Sequence, residues 1–204
     1  MSASKINRIV ILYTRLSGYL AASLRELKRV TSVELLVLAY PGADDAPFDP
    51  DVFGDLGKIR NRREFSDAEI IEVVVEFGPD AVLTSGWADK GYMKVCREMR
   101  RQGIPVIAGC DTQWKGSPRQ QFAALTAPLH VRKAIDVLWV TGERQAVLGR
   151  ALGYRGARLW DGYYACDWGR FAAAKTENLG SEKLREEEVQ PHFLFVGRYV
   201  DVKG

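Results

Sequence analysis

The sequence predicts an α/β fold, in which a parallel sheet is flanked by helices. Two observations support this prediction. Short runs of continuously apolar residues alternate with segments of helical spacing, which is the pattern of a parallel sheet covered on both faces. The chain of 204 residues, 47% of them hydrophobic and 27% charged, is also long enough to bury a core without disulfides or metals.

The first part of the chain supplies two buried strands and the helix between them. Residues 8–13 (RIVILY) and 33–40 (VELLVLAY) are apolar runs typical of buried strands, and residues 19–30 have apolar side chains at helical spacing. Residues 43–64 are rich in charge, proline and glycine. They predict a long irregular loop with a short strand near Lys58–Ile59.

From Ser66 onward the alternation of helix and strand repeats. Ser66 and Glu69 have the spacing of a capping box, which predicts a helix start at Asp67. The further predicted elements are helix 67–77, strand 80–84, helix 90–102, strand 104–108, helical segment 119–134, strand 137–141, helix 143–152 and a short edge strand 158–160.

The last part of the chain changes character. Residues 172–191 are polar, rich in glutamate and end in Pro191, which is typical of a linker or an exposed helix. Residues 192–199 (HFLFVGRY) then begin a new apolar strand five residues before Gly204. Because a sheet strand needs other elements to cover it, we expect the chain to be cut inside a second domain.

Composition and motifs exclude several classes of protein. A net charge of +3 from 29 basic and 26 acidic residues is too balanced for a dedicated nucleic-acid binder. The three cysteines have no CxxC spacing, which indicates reduced thiols, and with only two histidines beside them no structural zinc site is expected. Neither a signal peptide nor an apolar stretch of about 18 residues is present, so we expect a cytoplasmic protein.

The loops that follow the strands carry the candidate binding residues, because α/β sheets bind ligands at the carboxyl ends of their strands. No GxGxxG follows the first strand, and no GxxxxGK[ST], GxSxG or HExxH occurs. A dehydrogenase with an unusual phosphate loop is disfavoured as well, because the second strand ends in Tyr40-Pro41 without a ribose-binding acid.

Four segments carry a resemblance to a known family: GPDAVLTSGW (78–87), IDVLWVTGERQAVLGRALGY (135–154), WDGYYACDWGRF (160–171) and FLFVGRYVDVKG (193–204). Together they resemble the large retaining glycosyltransferase family with the two-domain GT-B fold, commonly numbered family 4. FLFVGRYVDVKG (193–204) is similar to the family's F-V-G-R-L-x-x-x-K-G string, which begins its C-terminal domain. WDGYYACDWGRF (160–171) resembles N-G-V-D-x-x-x-F, with Asp161 for the usual asparagine and Tyr163-Tyr164 for small apolar residues. Two further strand segments match, IDVLWVTGERQAVLGRALGY (135–154) and GPDAVLTSGW (78–87).

The resemblance implies a domain organisation and an activity. Residues 1–171 would be a Rossmann-like acceptor-side domain, residues 172–191 a linker, and residues 192–204 the first strand and loop of a nucleotide-sugar-binding domain. The enzyme would be a retaining hexosyltransferase of carbohydrate biosynthesis. It would move a sugar from a nucleotide-diphosphate donor to a hydroxyl of a glycan, lipid or small molecule, with no metal or further cofactor. This fragment alone is expected to be inactive.

The resemblance also assigns roles to individual residues. Arg198 and Lys203 match the cations that contact the donor diphosphate, where they neutralise developing charge. In the loop after strand 104–108, Asp111 takes the place of the family's histidine and is the candidate catalytic residue. It either orients a sugar hydroxyl or transfers a proton, or it is an ordinary turn aspartate bonded to the N–H of Gln113.

Three residues are candidates for acceptor binding. Trp114 offers a stacking platform for a sugar ring, or packs over its own loop. Ser17 and Gly18 stand where relatives often have two glycines, which would let the backbone approach a ligand at a helix N-terminus. A simple tight turn explains the Ser17-Gly18 pair equally well.

Two basic clusters admit two interpretations each. Helix 90–102 carries an apolar face formed by Tyr92, Val95, Cys96 and Met99, opposite the cations Lys90, Lys94, Arg97 and Arg101. Such a stripe is a solvated face, or it meets anionic lipid headgroups on the inner face of the membrane, as a lipid acceptor would require. Arg60, Arg62 and Arg63 form a second cluster with the same ambiguity.

A second hypothesis stands beside the glycosyltransferase. The chain is then a non-catalytic α/β module that binds a glycan, a nucleotide or a protein, and residues 192–199 pair with its own sheet or with another chain. This hypothesis requires a genuine end at Gly204.

Overall fold

The computed structural model describes residues 6–40 and 54–166, together with residues 168, 169 and 172. The chain divides into two compact units, residues 1–167 and 168–204. Every strand and helix named below belongs to the first unit. Apart from residue 172, the linker and the start of the second domain that the sequence predicts lie outside the described residues, so the domain boundaries stay predictions.

A seven-stranded sheet forms the centre of the first unit, and all of its neighbouring strands are parallel. The order across the sheet is β3-β2-β1-β4-β5-β6-β7. The sheet therefore grows in one direction from β1 to β3 and in the other from β4 to β7. The strands are β1 (Arg8–Tyr13), β2 (Glu34–Ala39), β3 (Lys58–Asn61), β4 (Ala81–Thr84), β5 (Val106–Cys110), β6 (Val137–Val140) and β7 (Leu159–Trp160).

Within the described residues, five α-helices flank the sheet, and the predicted fold class is confirmed. The helices are α1 (Gly18–Thr31), α2 (Asp67–Phe77), α3 (Lys90–Arg101), α4 (Pro118–Thr126) and α5 (Glu143–Ala151). Side chains cap the first four of them by accepting main-chain N–H groups that a helix start leaves without a partner. The predicted capping box is present: the N–H of Glu69 donates to Ser66 Oγ at 3.3 Å, and the N–H of Ser66 donates to Glu69 Oε2 at 2.7 Å.

The two faces of the sheet bury two separate hydrophobic clusters. Alternate residues of a strand point to opposite faces, so Ile11 and Tyr13 of β1 join the cluster under α1, whereas Val10 and Leu12 join the larger cluster under α2 and α3. The predicted apolar face of α3 lies in that larger cluster, with its four residues at most 1% exposed. Full burial of a side chain such as Val95 or Met99 contributes about 1.5–3 kcal/mol of hydrophobic stabilisation.

The predicted helical segment 119–134 is interrupted. The α-helix ends at Thr126 and is followed by two 3₁₀ turns, Ala127–Leu129 and Val131–Lys133. Pro128 explains the break, because a proline has no N–H to donate and disfavours helical geometry at the residue before it.

The proposed surface cluster of arginines is wrong for Arg62, which is only 9% exposed. Its guanidinium lies 2.5 Å from the carboxylate of Asp67 and 3.6 Å from that of Asp89, and it stacks over the ring of Tyr92. On α3, the stripe of cations is partly neutralised in the same way. Lys94 pairs with Asp67 at 3.1 Å, and Arg101 pairs with Glu98 at 2.7 Å.

Candidate functional site at the carboxyl edge of the sheet

The crevice between β1 and β4 is where the strand order reverses, and α/β sheets bind ligands at the carboxyl ends of strands at such a point. The loops after these two strands are tied together there. The N–H of Ser85 donates to the carbonyl of Leu12 at 2.9 Å, and the N–H of Thr14 donates to Ser85 Oγ at 3.1 Å. These bonds fix the floor of the crevice.

Ser17 and Gly18 lie at the N-terminus of α1, beside this crevice. The side chain of Ser17 is buried and accepts the N–H of Leu20 at 3.4 Å, so it caps the helix. Gly18 is open toward the described residues: a Cβ added to it would meet none of their atoms within 4 Å. The structure thus gives Ser17 a structural contact and leaves the space beside Gly18 accessible to a ligand.

Four tyrosines, Tyr13, Tyr19, Tyr163 and Tyr164, form a cluster at the same edge. Tyr163 and Tyr164 follow β7 and stack with their ring centroids 4.7 Å apart. The hydroxyl of Tyr163 is hydrogen-bonded to that of Tyr13, at the end of β1. The ring of Tyr164 meets the edge of Tyr19, in the first turn of α1, at 5.0 Å. This tyrosine cluster joins the loop after the edge strand to the crevice in the middle of the sheet.

A glycine makes room for the cluster. A Cβ at Gly109, in β5, would overlap the ring of Tyr163, so the backbone of β5 and this ring lie in direct contact. The N–H of Tyr163 donates to the carbonyl of Val140 at 3.0 Å, and the ring of Trp139 lies 5.4 Å away. Main-chain and side-chain contacts therefore both hold Tyr163 in place.

Asp111 lies beside the cluster, on the loop after β5. Its Oδ2 accepts a hydrogen bond from the hydroxyl of Tyr164 at 3.1 Å, and its main-chain carbonyl accepts one from Gln145 at 3.2 Å. Among the described residues, the carboxylate bonds to this tyrosine rather than to the N–H of Gln113. Asp111 is exposed, so its carboxylate can also accept bonds from a ligand.

Trp114 is placed differently from the other candidates. Its side chain is partly buried and packs against the larger hydrophobic cluster, and the main-chain N–H of Trp114 donates to the carbonyl of Arg144 at 3.4 Å. The packing interpretation of this tryptophan therefore has direct structural support. The loop that presents Asp111 is anchored by this contact.

Burial determines the ionisation of the cluster. It raises the pKa of Tyr13, Tyr163 and Tyr164 well above the ordinary range of a phenol. These hydroxyls therefore stay protonated at neutral pH and can donate hydrogen bonds. Burial also raises the pKa of Cys110 at the end of β5, and that of Cys96 to about 12, which disfavours the thiolate of either residue as a nucleophile.

The candidate diphosphate ligands Arg198 and Lys203 lie outside the described residues, so their roles stay predictions. In the part of the chain that the structure describes, no three His, Cys, Asp or Glu side chains come together as metal ligands would. None of the described helices is long and apolar enough to cross a bilayer.

Sequence reasoning did not assign the tyrosine cluster to the site. Tyr163 and Tyr164 stood out only as departures from a family motif, and Tyr13 is the last residue of an apolar strand. The available signal was their position: aromatic residues with a polar tip at strand ends and in the first turn of a helix lie at the ligand-binding edge of a parallel sheet.

Comparisons with known proteins bear on the fold. No family model and no curated protein matches the sequence. Among solved structures, the UDP-GlcNAc 2-epimerase from Neisseria meningitidis bound to UDP-GlcNAc matches with a TM-score of 0.55 and 12% identity, over 86% of this chain and 50% of that one. The UDP-N-acetylglucosamine 2-epimerase from Rickettsia bellii matches with a TM-score of 0.52 and 12% identity, over 87% and 50%. The chain thus spans about half the length of these enzymes and shares the fold of that half.

Proposed function

We propose that this chain is part of an enzyme that acts on a nucleotide-diphosphate sugar and transfers the sugar, with retention, to a hydroxyl of a glycan, lipid or small molecule. The observation that carries the proposal is the wall formed by Asp111, Tyr164 and Tyr19 beside the open N-terminus of α1. Two further facts support it: the family motifs in the sequence, and the fold shared with half of an epimerase solved with UDP-GlcNAc.

The chemistry of the wall suits a sugar acceptor. Tyr19 and Tyr164 are each a little over two-fifths exposed, so their rings offer apolar faces to a pyranose. The carboxylate of Asp111 can accept a hydrogen bond from a sugar hydroxyl. It can then act as a general base and take the proton of that hydroxyl as the hydroxyl oxygen attacks the donor sugar. The protonated hydroxyl of Tyr164 orients this carboxylate, and the backbone at Gly18 lies open to the ligand.

The donor-binding part of the proposal is supported by the sequence motifs. Arg198 and Lys203 would hold the diphosphate, whose leaving-group charge needs fixed cations. We propose no metal and no further cofactor. A lipid-linked acceptor would place the enzyme at the inner face of the membrane.

The test is transfer by the full-length product of the gene, because the structural neighbours are about twice as long as this chain. The enzyme is incubated with UDP-GlcNAc, UDP-glucose or GDP-mannose and a panel of glycan acceptors, and the products are analysed by mass spectrometry. Transfer increases the acceptor mass by one sugar residue. Epimerisation, which the names of the structural neighbours make the second candidate, leaves the mass unchanged and alters the NMR spectrum of the sugar.

Two substitutions then test the roles of Asp111 and Tyr164 in transfer. Asp111→Asn should lower kcat/KM about 10²–10⁴-fold, as expected for loss of proton transfer, and Tyr164→Phe about tenfold, for loss of one hydrogen bond to a charged group. Asp80→Asn is the matched control, because Asp80 accepts the N–H groups of Asn7 and Arg8 at the opposite edge of the sheet. Absence of transfer with every donor, or an Asp111→Asn enzyme as active as the control, would overturn the proposal.

A further inference from the structure

A cleft of about 460 Å³ lies at the amino edge of the sheet, opposite the tyrosine cluster. It is lined by the last turns of α3 and by the segments that lead into β5 and β6. The charged side chains that line it are Arg97, Arg100, Arg101, Lys133 and Asp136. Its volume falls within the range of about 300–1,000 Å³ that small-molecule sites occupy.

The charges in this cleft are unbalanced. Four cations face a single carboxylate, and that carboxylate is already engaged. Asp136 accepts a bond from Arg100 Nε at 2.6 Å and another from the N–H of Val106 at 3.1 Å. Its negative charge is therefore committed to fixing one arginine and the start of β5.

Two of the arginines are held in place by the protein. Arg100 donates from Nη1 to the carbonyl of Arg132 at 2.6 Å, in addition to its bond with Asp136, so its guanidinium is oriented before any ligand arrives. Arg101 is held by Glu98 through two bonds, at 2.7 and 3.0 Å. The fixed orientation of Arg100 lowers the entropy cost of binding, whereas the bonds to Glu98 occupy the guanidinium of Arg101.

The other two cations have no such partner. Within residues 6–40 and 54–166, neither Arg97 nor Lys133 forms an ion pair with a carboxylate, and both are exposed. Like charges in one concave surface repel each other and raise the local positive potential. An anion that enters the cleft relieves this repulsion and meets an oriented guanidinium.

We infer that this cleft binds a phosphate-bearing small molecule or headgroup, with the exposed Arg97 and Lys133 and the oriented Arg100 as its anion ligands. Phosphate fits this set of donors, because guanidinium groups bind its oxygens in pairs and an ammonium group binds as a compact point charge. The site is separate from the one proposed for sugar transfer, since it lies at the other edge of the sheet. The inference of phosphate binding therefore does not depend on whether transfer activity is found.

Inorganic pyrophosphate is the probe for the free ligand, and its binding to the chain is followed by isothermal titration calorimetry. The double variant Arg97→Gln/Lys133→Gln should bind at least about tenfold more weakly than the unchanged chain, because two charge-assisted hydrogen bonds are lost. Arg63→Gln/Lys90→Gln is the matched control. It removes one arginine and one lysine from exposed positions outside the cleft and should bind as the unchanged chain does.

A second arm identifies the source of the phosphate. The same three proteins are sedimented with phosphatidylcholine vesicles that contain or lack phosphatidic acid. Saturable pyrophosphate binding that the cleft variant loses supports a free phosphorylated ligand, whereas vesicle binding that only this variant loses supports a lipid headgroup. If neither probe binds, or if both double variants weaken binding equally, the inference is overturned.

Discussion

Two arginine-rich regions of this molecule place their cations in different surroundings. Around Arg62, a cation is buried between two carboxylates and an aromatic ring. In the cleft at the amino edge of the sheet, four cations line the surface, and only two of them, Arg100 and Arg101, pair with a carboxylate among the described residues. The first arrangement uses positive charge to hold elements together, and the second leaves positive charge available to a ligand.

The region around Arg62 links four separate parts of the fold. The guanidinium reaches Asp67, the first residue of α2, and Asp89, the cap of α3. Asp89 also accepts a bond from the hydroxyl of Tyr40, just after β2. The side chains of Arg62 and Asp89 are only 10% and 7% exposed, so Arg62 is the cation that balances the buried charge of Asp89.

The role of an arginine depends on its burial and on the carboxylates that the fold brings to it. A buried cation with a carboxylate at hydrogen-bond distance is a structural element, because removing either partner leaves an uncompensated charge in a poorly solvated place. A cation in a concave surface without such a carboxylate costs little to replace and is free to bind an anion.

The largest effect is expected from Arg62→Met. This change leaves Asp89 buried without its cation, and the free energy of unfolding should fall by about 3–5 kcal/mol, which is typical when one partner of a buried pair is removed. Urea denaturation followed by circular dichroism measures the loss. Arg63→Met, at the exposed neighbouring position, is the control and should change stability by no more than about 0.5 kcal/mol. Equal losses in the two variants would mean that Arg62 is not structural.

The next effect is expected from Gly91→Ala, which disturbs the same region from α3. A Cβ at Gly91 would overlap the Arg62 guanidinium and the Asp67 carboxylate, so their ion pair must shift. We expect a loss of about 1–3 kcal/mol from this overpacking, even though alanine favours a helix over glycine by up to about 1 kcal/mol.

Two further variants isolate the cause of that loss in thermal or urea unfolding. Gly18→Ala, where a Cβ would meet no atom within 4 Å, should be neutral or slightly stabilising. The cost of Gly91→Ala should largely disappear when it is combined with Arg62→Met, because the two changes act on one contact and are not additive. If the stability losses of Gly91→Ala and Arg62→Met were strictly additive, the loss in Gly91→Ala would not arise from contact with the Arg62 guanidinium.

Local sequence signals account for most of the fold. Continuous apolar strands and the Ser66–Glu69 capping box act over a few residues, and the structure reproduces them with small shifts at the ends of elements. Even the break in the helical segment 119–134 has a local cause, since Pro128 is visible in the sequence. These features could be predicted because their physical cause lies within one segment.

The arrangement of the candidate site depends on distant contacts, and so sequence reasoning found only part of it. Asp111 and Tyr164 are 53 residues apart, and Tyr13 and Tyr163 are 150 residues apart, so neither contact leaves a local pattern. The burial of Arg62 was missed for the same reason, since its partner Asp89 comes from another element. The position of Asp111 after β5 could be predicted, whereas its bond to Tyr164 required the folded sheet.

The smallest expected effect is at Glu98, the carboxylate that holds Arg101 beside the cleft. Its hydrogen bonds to Arg101 and Gln102 lower its pKa from 4.5 to about 2. A lowered pKa in the folded state adds stability that is present above pH 4.5 and is lost as the pH falls toward 2. Glu98→Gln should therefore make the free energy of unfolding less dependent on pH between about 2 and 4.5. The slope of that free energy against pH should change by the equivalent of less than one bound proton.

Glu98→Gln also tests the distinction between arginines that are paired with a carboxylate and arginines that are available to a ligand. In Glu98→Gln the guanidinium of Arg101 loses its carboxylate and becomes available to the cleft, so pyrophosphate should bind more tightly than to the unchanged chain. Glu72→Gln, at an exposed position of α2, is the control with the same loss of charge. Tighter binding in the Glu98 variant alone would show that a neighbouring carboxylate competes with the ligand for the same cation. Equal gains in both variants would trace the effect to net charge, and the distinction between paired and available arginines would then not hold at Arg101.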